Sequence, residues 1–371
     1  MKKQLHREAI MAIKPYVPGK PVEEVERELG ITDVIKLASN ENPLGPSPAA
    51  IETLQKTAAK VYLYPDGNCY YLKEALAEHT GFAADSIIVG NGSDEIIELI
   101  AKTFINPGEE AVVADPTFSE YDFAVKLMGG KTVFVPLKDQ THDLEGMLAA
   151  VTEKTKLIFI CNPNNPTGTI VKREAVEELL SRLPGHVIAV FDEAYYEYVE
   201  DADYPQTVDY VREGHNVIVL RTFSKIYGLA GLRVGYGISR PDIIALLHRV
   251  KEPFNVNLPA QAAAIDALKD KGHLEKSRAV NAKGRDYLYG ELEKRGLYYQ
   301  PTNANFIWMD VKADSQQVFA KLLRRGVIVR TGDIFGAPSM LRVTIGTPEE
   351  NKRFIAALDE VLKEEGVLHN G

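Results

Sequence analysis

Hydrophobic positions are distributed in two regimes along the chain. Between residues 110 and 220 short apolar runs recur: Ala111-Val112-Val113-Ala114, Thr132-Val133-Phe134-Val135, Leu157-Ile158-Phe159-Ile160, Val187-Ile188-Ala189-Val190 and Val217-Ile218-Val219-Leu220. Each has the length and β-branching of a strand buried on both faces. Several are separated by segments of helical length, such as residues 172–183. This is the pattern of βαβ units, and it predicts a mostly parallel sheet covered by helices on both sides. In such sheets ligands sit beyond the carboxyl ends of the strands.

Outside that region the pattern is different. Ile87-Ile88-Val89-Gly90 runs into a stretch whose apolar positions 96, 97, 100 and 104 follow helical spacing, with Ser93 placed as its N-cap. Tyr62-Leu63-Tyr64-Pro65-Asp66-Gly67 ends in a turn signal and leads into a helix through Leu72, Leu76 and Ala77. Near the N-terminus Pro15, Pro18, Gly19 and Pro21 interrupt any long helix and leave residues 22–29 as one short helical stretch. Beyond about residue 265 a long amphipathic stretch, residues 272–295, leads into Asn303-Ala304-Asn305-Phe306-Ile307-Trp308-Met309. Val327-Ile328-Val329-Arg330 and Met340-Leu341-Arg342-Val343-Thr344-Ile345-Gly346 read as strands, and Glu349-Glu350-Asn351 opens a final helix. The expected organisation is an N-terminal arm (1–45) packing with the small domain, a large α/β domain (46–265) and a smaller α+β domain (266–371).

Composition narrows the function. The 371 residues carry a formal net charge of -9 and no basic block, so a nucleic acid or an anionic membrane would meet no complementary field. No apolar run approaches the roughly 18 residues of a membrane span. An anionic substrate would have to be held by a few local cations. Cys69 and Cys161 are far apart and suggest no metal site. The start, Met1-Lys2-Lys3, is not followed by a continuous apolar segment, which makes the cytoplasm the expected compartment.

Three polar clusters follow predicted strands. Cys161-Asn162-Pro163-Asn164-Asn165-Pro166-Thr167-Gly168 reads on its own as a turn, and Phe191-Asp192-Glu193-Ala194-Tyr195 as an acidic helix start. Arg221-Thr222-Phe223-Ser224-Lys225-Ile226-Tyr227-Gly228 continues to Gly231-Leu232-Arg233. Lys225 is either a surface lysine in a loop or an amine that sheds its proton among apolar neighbours and forms a Schiff base. Arg233 is close enough in sequence to share one anion with Thr222 and Ser224. Gly90 and Gly92 let the backbone before the next helix approach a ligand, where a positive helix dipole suits a phosphate. Asn40-Glu41-Asn42-Pro43 is a dense polar cluster within a stretch rich in turn formers.

The lysine string resembles the pyridoxal-phosphate segment of the fold-type I aminotransferases, in the form seen in the histidinol-phosphate aminotransferase family. Asn40-Glu41-Asn42-Pro43-Leu44-Gly45 and Leu341-Arg342-Val343-Thr344-Ile345-Gly346 resemble two further motifs of that family. The resemblance implies a seven-stranded sheet, pyridoxal 5'-phosphate as cofactor and a homodimer with shared active sites. It implies that Lys225 is catalytic, that Gly92, Ser93, Asp94, Thr222, Ser224 and Arg233 serve the cofactor, and that Asp192 faces its ring nitrogen. Asn165 and Tyr195 would donate to its 3-oxygen, Phe118 would stack on the ring, and Tyr64 would reach the phosphate of the neighbouring subunit. Tyr16, Asn40, Asn42, Arg330 and Arg342 would bind substrate. The implied reaction moves an amino group between L-histidinol phosphate and 2-oxoglutarate in histidine biosynthesis. An aromatic-amino-acid aminotransferase, a threonine-phosphate decarboxylase and a cofactor-sensing transcription regulator are the alternatives. The regulator would need a DNA-binding domain, and the proline-broken arm offers no basic helix pair.

Overall fold

The structure, a computed structural model, describes residues 5–15 and 19–368. The chain enters through a 3-10 turn, Glu8–Ala12, and the helix Val22–Leu29, then forms the short strand β1 (Ile35–Lys36). The large sheet follows: β2 (Ile87–Gly90), β3 (Glu110–Asp115), β4 (Lys131–Pro136), β5 (Thr155–Cys161), β6 (Ile188–Asp192), β7 (Val217–Thr222) and β8 (Gly235–Ile238). Its seven strands are ordered β2-β8-β7-β6-β5-β3-β4. Strands β3 to β7 run parallel, while β8 is antiparallel to both β2 and β7.

The apolar runs are strands because both faces of the sheet are covered. Val112, Ile158, Ala189 and Val219 point into one core, and their neighbours Val113, Phe159, Val190 and Leu220 into the other. The period of two divides the runs of β3, β5, β6 and β7 between two helical layers, while the edge strand β4 is covered on one face and leaves Phe134 exposed on the other.

A second, antiparallel sheet contains β9 (Tyr299–Gln300), β10 (Phe306–Asp310), β12 (Arg330–Thr331) and β13 (Met340–Thr344), in the order β12-β13-β10-β9. Between them in sequence, β11 (Val327–Ile328) pairs in parallel with β1. The amphipathic helix Lys271–Lys294 and the final helix Pro348–Glu364 pack beside this sheet around Leu288, Leu292, Ile307, Val343 and Phe354. A Thr347/Glu350 capping box starts the final helix.

Three local readings change. Residues 327–330 are not one strand, because β11 turns to the arm and β12 to β13. β8 has no apolar run of its own, since Gly235 and Gly237 dilute it. Ser93 is not an N-cap: the helix is Gly92–Phe104, Asn91 holds the N-cap position without a side-chain capping bond, and Ser93 lies in the first turn. Among the described residues no helix is long and apolar enough to cross a membrane.

Candidate active site

The carboxyl ends of β5, β6 and β7 meet the start of the helix Gly92–Phe104, the arm and the second sheet around a cavity of about 270 Å³. From β7 and the loop after it come Thr222, Ser224, Lys225 and Arg233; from β6 and its loop come Asp192 and Tyr195. The loop after β5 supplies Asn165, and the helix start supplies Ser93 and Asp94. Phe118 forms another wall, Asn40 belongs to the arm, and Arg330 and Arg342 project from β12 and β13.

One end of the cavity has the construction of an anion cradle. Arg233, with a left-handed φ of 55°, places its Nη2 3.0 Å from Asp94 Oδ2, and its Nη1 donates to Ser224 Oγ at 3.4 Å. Ser224 N–H donates to Thr222 Oγ1 at 3.1 Å. Glycines permit the close approach of these segments. A Cβ on Gly92 would lie 2.6 Å from Arg233 Nη2, and one on Gly235 2.5 Å from the Ser93 nitrogen. Backbone N–H groups at the positive end of the helix, two hydroxyls and a guanidinium are the donor set of a phosphate.

Lys225 is partly buried, with Nζ 3.3 Å from the Ser39 carbonyl and 5.7 Å from the Tyr195 ring centre. Burial, helped by the nearby Arg342 charge, pushes its ammonium down to about 8. Asp192 is 3 % exposed and accepts from Tyr121 Oη at 2.7 Å and from the Ala194 N–H at 3.2 Å. Burial raises its carboxyl to about 6, and the Tyr121 hydrogen bond opposes the rise. An amine that loses its proton near neutrality and a buried carboxylate thus share one small space. Among the described residues no His, Cys, Asp and Glu cluster could hold a metal ion.

The opposite wall joins both sheets to the arm. Arg342 donates to Asn165 Oδ1 at 2.6 Å and to the Ala38 carbonyl at 2.7 Å. Asn40 Nδ2 donates to Tyr195 Oη at 2.9 Å, its N–H donates to Thr344 Oγ1 at 2.9 Å, and its carbonyl accepts from Asn305 at 2.9 Å. The Tyr195 phenol is held well above its usual range, first by burial.

Three of the expected residues that the structure describes stand apart from this cavity. Gly92 lies behind it, against Arg233. Asn42 is buried and braces the lysine loop instead, donating to the Ile226 carbonyl at 2.7 Å and to Ser277 Oγ at 2.9 Å. Tyr64 is 82 % exposed and stacks on Phe254 at 4.8 Å. Tyr16 falls outside the described residues. Tyr121 was not read from the sequence as a site residue. It lies in the first turn of the helix Glu120–Leu127, meets the Phe118 ring edge-on at 5.7 Å and holds Asp192.

Residues 32–358 match the family described as aminotransferase class I and II. The chain is 61% identical over 357 residues to a histidinol-phosphate aminotransferase of Moorella thermoacetica, covering 96% of this chain and 92% of that protein. It is 49% identical to another of Caldicellulosiruptor saccharolyticus, covering 96% and 100%. Among solved structures, the histidinol-phosphate aminotransferase of Sinorhizobium meliloti in complex with pyridoxal-5'-phosphate superposes with a TM-score of 0.90 at 29% identity, over 98% of this chain and 99% of that one.

Proposed function

The chain belongs to the class I and II aminotransferases, and from that membership we infer that it transfers the amino group of L-histidinol phosphate to 2-oxoglutarate. The products are imidazole-acetol phosphate and L-glutamate, and the step belongs to histidine biosynthesis. The observation that carries this reading is the convergence of Lys225, Asp192 and Arg342 on one cavity whose far wall is an anion cradle.

Pyridoxal phosphate fits that cradle, and when bound it supplies an aldehyde for an amine and a ring that takes up the electrons of a broken C–H bond. In this reading Ser93, Thr222, Ser224 and Arg233 hold its phosphate, with Gly92 keeping the space open and Asp94 orienting Arg233. Asp192 would keep the ring nitrogen protonated, Asn165 and Tyr195 would donate to the 3-oxygen, and Phe118 would cover a ring face. Lys225 Nζ would hold the cofactor, and as a free amine it would take the proton from the substrate carbon that bears the amine. Its amine needs little energy to lose a proton at neutral pH, which suits a group that must be both nucleophile and base. Arg342, joined by Arg330, receives the phosphate of one substrate and a carboxylate of the other, since a guanidinium pairs with either. Asn40 completes the mouth from the arm, Tyr16 is proposed to join it there, and Asn42 supports it indirectly by bracing the lysine loop.

The arm (1–45), the large domain (46–265) and the small domain (266–371) are proposed as the working units, on the ground that the seven-stranded and four-stranded sheets each fall within one of them and the β1–β11 pair joins the arm to the small domain. The protein is proposed to be a cytoplasmic homodimer in which the exposed Tyr64 completes the partner subunit's site.

The test is turnover of histidinol phosphate, tyrosine and phenylalanine with 2-oxoglutarate, with products identified. Preference for histidinol phosphate supports the reading. Faster turnover of tyrosine or phenylalanine would make the protein an aromatic aminotransferase, and carbon dioxide release from threonine phosphate would make it a lyase.

A further inference from the structure

Behind the cavity lies a buried ion pair that touches none of its contents. Glu193 follows Asp192 and Arg221 precedes Thr222, so strand alternation turns these two side chains away from the cavity that their neighbours line. Glu193 is 0 % exposed and Arg221 6 %. Arg221 Nε and Nη2 both lie 2.9 Å from Glu193 Oε2, and the guanidinium sits 3.6 Å over the centre of the Tyr196 ring. The other carboxylate oxygen accepts from Thr207 Oγ1 and lies 3.5 Å from Tyr204 Oη. Tyr204 Oη donates its one hydrogen to the Asn162 carbonyl at 2.5 Å, where the loop carrying Asn165 begins, so it meets the carboxylate as a packing neighbour.

We propose that Glu193, with Arg221, is the positioning group that sets the ends of β6 and β7 against one another. One carboxylate ties the end of β6, which carries Asp192, to the end of β7, which leads to Lys225. Tyr204, packed beside that carboxylate, separately holds the Asn162 carbonyl at the end of β5. A buried ion pair gives little net stability compared with apolar residues of similar volume, because desolvation offsets the attraction. Directional bonds at both ends of Glu193 instead fix distances, which an apolar replacement would not. The placement of this pair directly behind the site, rather than elsewhere in the core, fits that role. The inference rests on the reading of Lys225 and Asp192 as the groups that hold the cofactor.

The experiment compares wild type with Glu193→Gln, Arg221→Met and the double variant, and adds Arg221→Lys as a milder change. Three quantities are measured: thermal unfolding without cofactor, the dissociation constant of pyridoxal phosphate, and the pH midpoint of the bound cofactor's absorbance. Each single neutralisation leaves a buried charge unmatched and should lower the unfolding midpoint. The double variant should regain most of that midpoint. Its cofactor should still dissociate about tenfold more readily or worse, the scale seen when groups that orient ligating side chains are lost. The absorbance midpoint should remain displaced by about one pH unit. Arg221→Lys keeps the charge but not the fork, and should stay folded with a smaller shift in the same direction, so the proposal remains testable if the double variant does not fold. A foldable double variant, or Arg221→Lys, that matches wild type in both cofactor measurements overturns the proposal. Borohydride reduction of the wild type separates this failure from that of the functional reading. A label on a lysine other than Lys225 would sink both, whereas a label on Lys225 with unchanged variants would sink the positioning role alone.

Discussion

Two side chains near the cavity have consequences that their chemistry predicts. Tyr121 is wholly buried and gives its phenol hydrogen to Asp192. Tyr121→Phe removes a hydrogen bond to an ionised group without opening a cavity, and should weaken pyridoxal phosphate binding by about 1.5–3 kcal/mol in equilibrium dialysis. An unchanged dissociation constant would mean that Asp192 needs no such support. Glu197 is 7 % exposed, and its carboxyl is pushed up to about 7, first by burial and then against the pull of Arg221. Glu193 adds to the rise and Arg278 opposes it, while Tyr227 and Tyr236 also face the same charges. A carboxyl raised on folding binds more protons in the native state than in the unfolded chain. Its contribution is therefore full below about pH 4.5 and is lost as pH rises towards 7. Glu197→Gln should flatten that fall, worth roughly 3 kcal/mol, in denaturant titrations of the cofactor-free protein at several pH values. Retention of the full wild-type slope would place the titration elsewhere. Lys225, Asp192 and Arg342 were legible in the sequence because motifs carry them. Tyr121 and Glu193 were not given roles there, since both act through another residue's orientation, which no local string records.

Elements differ in how openly the sequence declares them. Strands β3, β5, β6 and β7 announce themselves, because burial on both faces demands an unbroken apolar run, whereas β4, at the sheet edge, leaves Phe134 exposed. β8 is concealed by its glycines, yet those glycines are its purpose: a side chain at 235 would press on the backbone of Gly92 and Ser93. Gly235→Ala should therefore push the helix start away from the cradle. Both cofactor affinity and stability should fall, by about 1–3 kcal/mol of overpacking, read by dialysis and by urea unfolding. Wild-type affinity in that variant would show that the helix start can give way freely. Residues 327–330 were read as one strand because local pattern specifies extension but not partner. Val327 pairs with Ile35, far back in the arm, while Arg330 pairs with Arg342, a short hairpin ahead, and only the fold shows the chain dividing between them.

At the scale of the molecule, an exposed Tyr64 on an exposed stretch that includes Tyr62, Leu63 and Tyr71 is what a shared site predicts. Mixing Lys225→Ala subunits with Tyr64→Ala subunits would make hybrids with one site lacking both groups and one intact. With free exchange, about a quarter of wild-type activity should return; no gain after verified exchange would confine Tyr64 to its own subunit. The arm has a different meaning for the whole chain. Asn40 is bonded to Thr344 across 304 positions of sequence, and β1 is completed only by β11. As the polypeptide leaves the ribosome, the strands of the large sheet are all present long before those partners exist. Loop closure over such a distance delays the last contacts, and topologies dominated by them fold slowly. A nascent chain halted at about residue 300 would hold Lys225 and Asp192 but neither Arg330 nor Arg342, with the arm still waiting for its strand. If Arg330 and Arg342 anchor the substrate as proposed, the enzyme stays silent during its own synthesis until that last segment is made.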